Sequence, residues 1–443
     1  MGNGDYYLRV SLKQLSPMIH FEHYEDGATL RVTEVKPKLD RFILKWCKDN
    51  GVKVERDWYI DKDKSEALNY KMRIQVLGDI NEKTLRKTNE TDKKLIYDGL
   101  IKDDGKPKRA IKGSYFGNMV NFQGKVDREE KIDKIQKSYK ESIYYTNEIA
   151  INLICFKSGL LKLIEDNIIG FFLLNNFGTR QNKGFGSFKV TQINGKPKIY
   201  NAMSIISKYE KNAWYLLGNR QYALNYETAL EDIKLIYGFM KGGYNFTKMK
   251  VKGQLVISKD YFRGFIYRYF NELNIKNDKA FVKQVVLKDR FNNENRGERK
   301  TQGEEYRYVR AMLGLPELLD FRSINEKIHI YNKSIKRYAS PILFKIVDDY
   351  IFIIPQKVNK NMLNEDFYLT TEKNEESYFE NPNEKEKITT PEDFSLVDFL
   401  DAFEADFNDK VSKKGGEIGL KEAKNNNLRR ANDLFIKKVG EAR

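Results

Sequence analysis

The chain has 443 residues, with 79 basic against 63 acidic side chains and a formal charge of +16. That length supports two or three domains with cores of their own. Two cysteines, Cys47 and Cys155, each inside an apolar run, argue against a disulfide framework or a cysteine zinc site. The excess charge is uneven: residues 364–409 carry a net −12 and 410–443 a net +6, leaving +22 on 1–363. A body that basic points to a polyanionic partner, nucleic acid above all. No apolar core of a signal peptide opens the sequence. The most apolar stretch, 149–174, is broken by Lys157, Lys162, Glu165 and Asp166, so a membrane span is not expected. The expectation is a soluble, cytoplasmic protein.

In chain order, residues 6–15 alternate as an opening strand with Leu8, Val10 and Leu12 on one face. A turn at Glu25-Asp26-Gly27 and a short strand over 28–32 lead to a helix starting near Pro37, which suits a first turn. In that helix Val35, Leu39, Phe42, Ile43 and Trp46 fall on a core face, while Lys38, Arg41, Lys45 and Lys48 form a second stripe. Four like charges in a row repel one another unless something anionic neutralises them. Residues 49–142 are charged and turn-rich, with a strand at 71–77 and a basic segment at 106–117. A strand over 146–156 and an apolar helix over 160–174 follow.

Residues 175–190 are the most informative stretch. Gly178, Gly184 and Gly186 bracket Arg180, Gln181, Asn182 and Lys183, and Phe177, Phe185 and Phe188 punctuate the loop. Glycines allow close backbone approach, successive N–H groups can cradle an anion, and exposed rings can stack on bases. From the loop alone, a phosphate cradle and an ordinary glycine-rich turn are equally consistent readings. It is neither a P-loop nor a dinucleotide fingerprint.

A second half begins near Met203, with a helix over 226–241 stopped by Gly242-Gly243. A strand is expected at 283–288 and another around Ile328-His329-Ile330. The chain turns acidic and flexible from Asn364, then Thr390-Pro391-Glu392-Asp393 opens a helix over 394–407, ahead of a basic tail. Mixed strands and helices in two halves give an α+β class.

The loop and its surroundings resemble the RAMP superfamily of CRISPR-associated RNA-binding proteins, whose signature is a helix leading into Gly-x(5)-Gly-Phe-Gly, matched by 178–186. Within it, the sequence is similar to the first, two-RAMP-domain subunit family of the type III-B (Cmr) effector complex. Residues 27–42 resemble that family's early strand and basic helix. Leu313-Gly314-Leu315-Pro316 and Arg337-Tyr338-Ala339-Ser340-Pro341 resemble its paired motifs.

The resemblance implies two tandem ferredoxin-like (RAMP/RRM-like) domains, over 1–200 with the loop at 177–188 and over 201–360. An acidic linker, helix and basic tail would fill 361–443. It implies a non-catalytic subunit that binds crRNA and single-stranded target RNA near the crRNA 3′ end, beside other effector subunits. No cofactor, metal, membrane or small-molecule substrate is expected. The RNA-contacting set would be Arg31, Lys36, Lys38, Arg41, Lys45, Gly178, Arg180, Gln181, Lys183, Gly184, Phe185, Gly186, Lys189 and Arg337. The alternatives are a metal-independent endoribonuclease processing repeat RNA, with His20 and His23 as the candidate bases, or an adaptor recruiting another protein through its tail.

Overall fold

Alternation along β1 (Tyr7–Gln14) buries Leu8, Val10 and Leu12 and leaves Tyr7, Arg9 and Lys13 outside. This comes from a computed structural model describing residues 6–18, 29–61, 66–84, 142–146, 148–217, 222, 225–248, 257–287, 306–315, 318–321, 326–335, 337–371, 386–412 and 422–440. The chain divides into two compact units, Met1–Tyr209 with Lys345–Asp348, and Glu210–Phe344 with Asp349–Arg443.

The first unit continues through α1 (Val32–Asp49), β2 (Lys71–Val76), a separate hairpin of β3 (Ile80–Thr84) and β4 (Ser142–Thr146), then β5 (Ile149–Ile154). It closes with α2 (Ser158–Leu174), β6 (Phe188–Ile193), β7 (Lys196–Pro197) and α3 (Ala202–Tyr209). One sheet has the order β2-β5-β1-β6-β7, every neighbouring pair antiparallel. With the β3–β4 hairpin set aside, the chain runs strand, helix, strand, strand, helix, strand. The inner face of the sheet, with Val10, Ile151 and Leu153, packs on Val35, Leu39, Ile43 and Cys47 of α1 and on Ile164, Ile168 and Phe171 of α2.

Helix α1 begins at Val32, five residues before Pro37, and no strand precedes it among residues 29–31. The carbonyl of Arg31 accepts the N–H groups of Glu34 (3.1 Å) and Val35 (3.0 Å), so the first turn is anchored ahead of the proline. Helix α2 ends because Asn175 turns extended and its side-chain amide donates to the Phe171 carbonyl at 2.9 Å. The expected strand over 146–156 is β5, while Thr146 is the last residue of β4. His20, His23 and the segment 106–117 lie outside the described residues.

In the second unit, α4 (Tyr226–Lys241) is capped by Asn225, whose side chain accepts the Thr228 N–H at 3.1 Å, and it stops at Gly242. Trp214–Leu217 lies between Tyr350–Pro355 and Phe435–Lys438 in one sheet. A hairpin of Gly243–Lys248 and Ser258–Arg263 leads into α5 (Phe265–Glu272). A further mixed sheet holds Lys276–Asn277, Tyr306–Arg307, Lys387–Thr389, Asp366–Thr370, Glu326–Tyr331 and Leu318–Phe321. The strands of this unit are thus distributed over several sheets rather than one.

Two expectations fail here. Residues 283–286 are helical rather than extended, following an Asn277 cap that accepts the Ala280 N–H. The chain past Asn364 is ordered as Asp366–Thr370, paired on both sides, because Phe367 and Leu369 are buried. The helix expected at 394–407 is α6 (Leu396–Lys410), capped by Ser395. Its Phe403 and Phe407 pack on Phe265 (5.5 Å) and Phe239 (5.7 Å), and Arg268 grips Asp406 with both guanidinium nitrogens.

Candidate nucleic-acid interface

The glycine-rich loop joins α2 to β6 and folds back against β1 and α1. The Phe177 N–H donates to Gly186 O at 3.0 Å, and the Gly186 N–H donates to Pro17 O at 2.8 Å. The Ser16 hydroxyl donates to Gly184 O at 2.6 Å and accepts the Ser187 N–H at 2.9 Å. Glycine is obligatory at 186: φ is +65°, and a Cβ there would lie 1.8 Å from the Phe177 carbonyl oxygen.

Of the two readings the loop's sequence allows, two features differ from the phosphate cradle. The Gly178 N–H is taken at 2.8 Å by Glu34 of α1, so a carboxylate of the chain itself sits where an external anion would. The aromatics face inward: Phe177, Phe185 and Phe188 are all 0% exposed. Phe177 packs against Phe171, Phe172 and Phe188, with centroids 5.7–6.0 Å apart. Phe185 therefore offers no ring face to a base; it is a core residue, placed there because folding buries a large apolar side chain.

Helix α1 and the loop meet at Lys38. Its ammonium donates to Glu34 (3.0 Å), to the Asn176 carbonyl (3.0 Å) and to the Gln181 side chain (2.6 Å), and lies 4.7 Å from the Phe177 ring centroid. Burial holds its pKa below the usual lysine value, with Glu34 opposing the shift. Lys38 is thus a tie between helix and loop. Lys36 is likewise directed inward, onto Asp40 at 2.7 Å, the Leu68 carbonyl at 2.9 Å and the face of Tyr70. Lys189 pairs with Asp348. Of the basic stripe expected on α1, Arg41, Lys45 and Lys48 stand exposed, without an ion pair to any described carboxylate. Arg31 precedes the helix and is half-buried, as are Arg180, Gln181 and Lys183 in the loop, where Arg180 itself takes a positive φ of 58°. Gly178, Gly184 and Gly186 are buried at its base.

A residue outside the expected set completes the loop. Lys345 is fully buried and donates to Asn175 O at 2.9 Å and Phe188 O at 3.1 Å, the carbonyls at the two shoulders of the loop. Burial drives its pKa well below the ordinary lysine value. The signal in the sequence was a lone lysine inside an otherwise apolar run, Ile342-Leu343-Phe344-Lys345-Ile346-Val347. Glu34 was hidden by placing the helix start at Pro37.

In the second unit the segments 313–315 and 337–340 adjoin. The Leu315 N–H donates to Tyr338 O at 2.9 Å, and Gly314 at φ +107° lets the backbone pass Ser340. From α4, Tyr237 donates to the Leu313 carbonyl and Lys241 to the Gly314 carbonyl. Burial, aided by Arg310, lowers Lys241 to about 7. Arg310 pairs with the buried Asp278 at 2.5 Å. Arg337 is exposed in this unit. Among the described residues no group of three or more His, Cys, Asp or Glu could hold a metal ion, and no helix is long and apolar enough to cross a membrane.

The family model for the Cmr1 N-terminal domain matches residues 5–244, and that for the Cmr1 C-terminal domain matches 261–429. Among solved structures, apo Cmr1 from Pyrococcus furiosus aligns at 10% identity and a TM-score of 0.37, covering 90% of this chain and 96% of that one. A chain of the type III-B Cmr-β complex bound to cognate target RNA aligns at 12% identity and a TM-score of 0.32, covering 80% and 95%. A second Cmr-β structure, with target RNA and AMPPnP in the presence of single-stranded DNA, gives 14% and 0.28, covering 79% and 94%. No curated protein gives a match. Two successive family models thus take in nearly the whole sequence, and the chain belongs to the Cmr1 family, subunits of type III-B CRISPR effector complexes.

Proposed function

We propose that this chain is a non-catalytic subunit that binds crRNA and single-stranded target RNA near the crRNA 3′ end, next to the other subunits of its effector complex in the cytoplasm. The observation that supports this most is the tie through Glu34 and Lys38. It brings the loop carrying Arg180 and Lys183 against the helix whose outer stripe is Arg41, Lys45 and Lys48. A ribose-phosphate backbone laid along that stripe would neutralise charges that otherwise repel. The strand–helix–strand–strand–helix–strand order of the first unit supports reading it as the ferredoxin-like domain the RAMP resemblance implies. We assign the second RAMP domain to residues 201–360, with the strands and helix α6 of 361–443 packed onto it.

Fluorescence anisotropy with labelled single-stranded RNA tests this reading. Arg41→Ala/Lys45→Ala should weaken binding and make its salt dependence shallower by about one phosphate contact per lysine or arginine removed. Arg180→Ala/Lys183→Ala should weaken it too. Unchanged affinity in both double variants would remove the proposed interface. Incubation of the purified chain with labelled repeat RNA in EDTA should leave the RNA intact; cleavage would make it a nuclease.

A further inference from the structure

The outer face of the first sheet has an unusual composition. Its five strands, YLRVSLKQ, KMRIQV, IAINLI, FKVTQI and KP, contain no aspartate or glutamate and six lysines or arginines. Helices cover the inner face, so the alternation of the strands decides what points out. At one end the register sets Tyr7, Ile154 and Lys71 side by side across β1, β5 and β2, and Arg9, Asn152 and Arg73 in the next outward row. Tyr7 donates to the Asn152 side chain, whose amide in turn donates to Gln75 at 3.2 Å. A tyrosine tied by its hydroxyl to a neighbour on the same face lies along the sheet rather than standing off it.

Large apolar side chains collect at this end. Tyr6 is 52% exposed, Tyr7 38%, Ile154 43% and Phe156 75%, and the Tyr6 and Phe156 rings lie 5.7 Å apart. Such a cluster is ordinarily buried, and left open it marks a binding surface. Arg9, Lys71 and Arg73 are exposed and make no ion pair with a described carboxylate, unlike Lys36, Lys38 and Lys189. The patch spans roughly 10 Å across three strands and 7 Å along them, room for one or two planar rings. Toward the other end Ser11 and Ala150 are buried, which bounds the patch.

We propose that this end of the sheet, built on Tyr7, Phe156, Arg9, Lys71 and Arg73, is a second contact for single-stranded RNA, a platform on which one or two bases stack while the cations hold the flanking phosphates. The proposal rests on the RNA-binding reading above and adds a surface separate from the loop. Rings beside unpaired cations, with no carboxylate on the strands, match a ligand that offers flat faces and negative charge together. An apolar protein surface would gain nothing from three cations it cannot neutralise.

The test uses the full chain and a fluorescent oligouridylate. Tyr7→Ala/Phe156→Ala should lower affinity roughly 5- to 150-fold for each base that stacks, leaving the salt slope unchanged. Arg9→Ala/Arg73→Ala should lower affinity and flatten the slope, and Tyr7→Trp should retain binding. Photocrosslinking of the unmutated chain to iodouridine RNA should label peptides containing Tyr7 or Phe156, a readout independent of any variant's folding. If the aromatic variant binds as tightly as the parent and crosslinks map only to α1 and the loop, the platform is refuted while the RNA-binding reading stands. Retained RNA affinity with lost co-purification of other effector subunits would reassign the patch to a protein partner and overturn the proposal. If the parent chain binds no RNA, both fall together.

Discussion

Lys345 carries the sharpest consequence of any single residue. Its buried amine has a pKa well below the ordinary lysine value, so just below pH 10.5 the unfolded chain holds a proton that the native chain does not. Stability must therefore rise with pH through that window, by about 1.4 kcal/mol per pH unit for one proton. Lys241, lowered to about 7, has the same sign between about 7 and 10.5. Denaturant unfolding between about pH 8 and 10 should show this climb, and Lys345→Met should flatten it. The same variant should be less stable at the top of the window, where the Asn175 and Phe188 carbonyls lose their donor at about 1–3 kcal/mol. Equal slopes in the two proteins would mean the amine stays protonated in the fold. Gly186 is the complementary case. Its positive φ alone would cost an alanine about 1–2 kcal/mol, and the 1.8 Å approach to Phe177 O adds to it. Gly186→Ala should lower the midpoint of thermal unfolding, and an unshifted midpoint would show that the loop has another way to turn.

Local patterns revealed most elements and few of their connections. The alternation in 6–15, the apolar helix of 160–174 and the helix of 226–241 stand in the structure close to where periodicity puts them, since each has a buried face that repeats at the period of its element. Helix α1 shows the limit. Pro37 looked like a first-turn residue, but Val35 packs in the core and Glu34 holds Gly178, and these long-range contacts extend the helix before the proline. The candidate site was legible as a loop and a basic helix. Which side of each residue faces out was not, because that depends on partners distant in sequence. Lys36 and Lys38 read the same as Arg41 and Lys45 until Asp40, Leu68, Asn176 and Gln181 are placed beside them.

At the level of the whole chain, the acidic and basic C-terminal segments are built into the second unit. Asp401 and Asp406 of α6 are matched by Lys438, Arg268 and Lys410, and Phe435–Lys438 adds a strand beside Trp214–Leu217. Ending the chain after residue 433 should uncover that edge and the 1%-exposed Trp214, shifting tryptophan emission to the red and lowering stability. An unchanged spectrum would mean that the strand is dispensable. The second feature at this scale is that the first unit takes in residues 345–348, far beyond its other residues. On a ribosome adding about 5–20 residues per second, the Lys345 clamp reaches the loop roughly 7–28 s after Tyr209 has been made. During that interval the Asn175 and Phe188 carbonyls have no lysine to accept from, and Ser187 has no Ile346 carbonyl to donate to. The first unit, although translated first, is therefore complete only once residue 348 has been made, more than halfway through translation of the second unit.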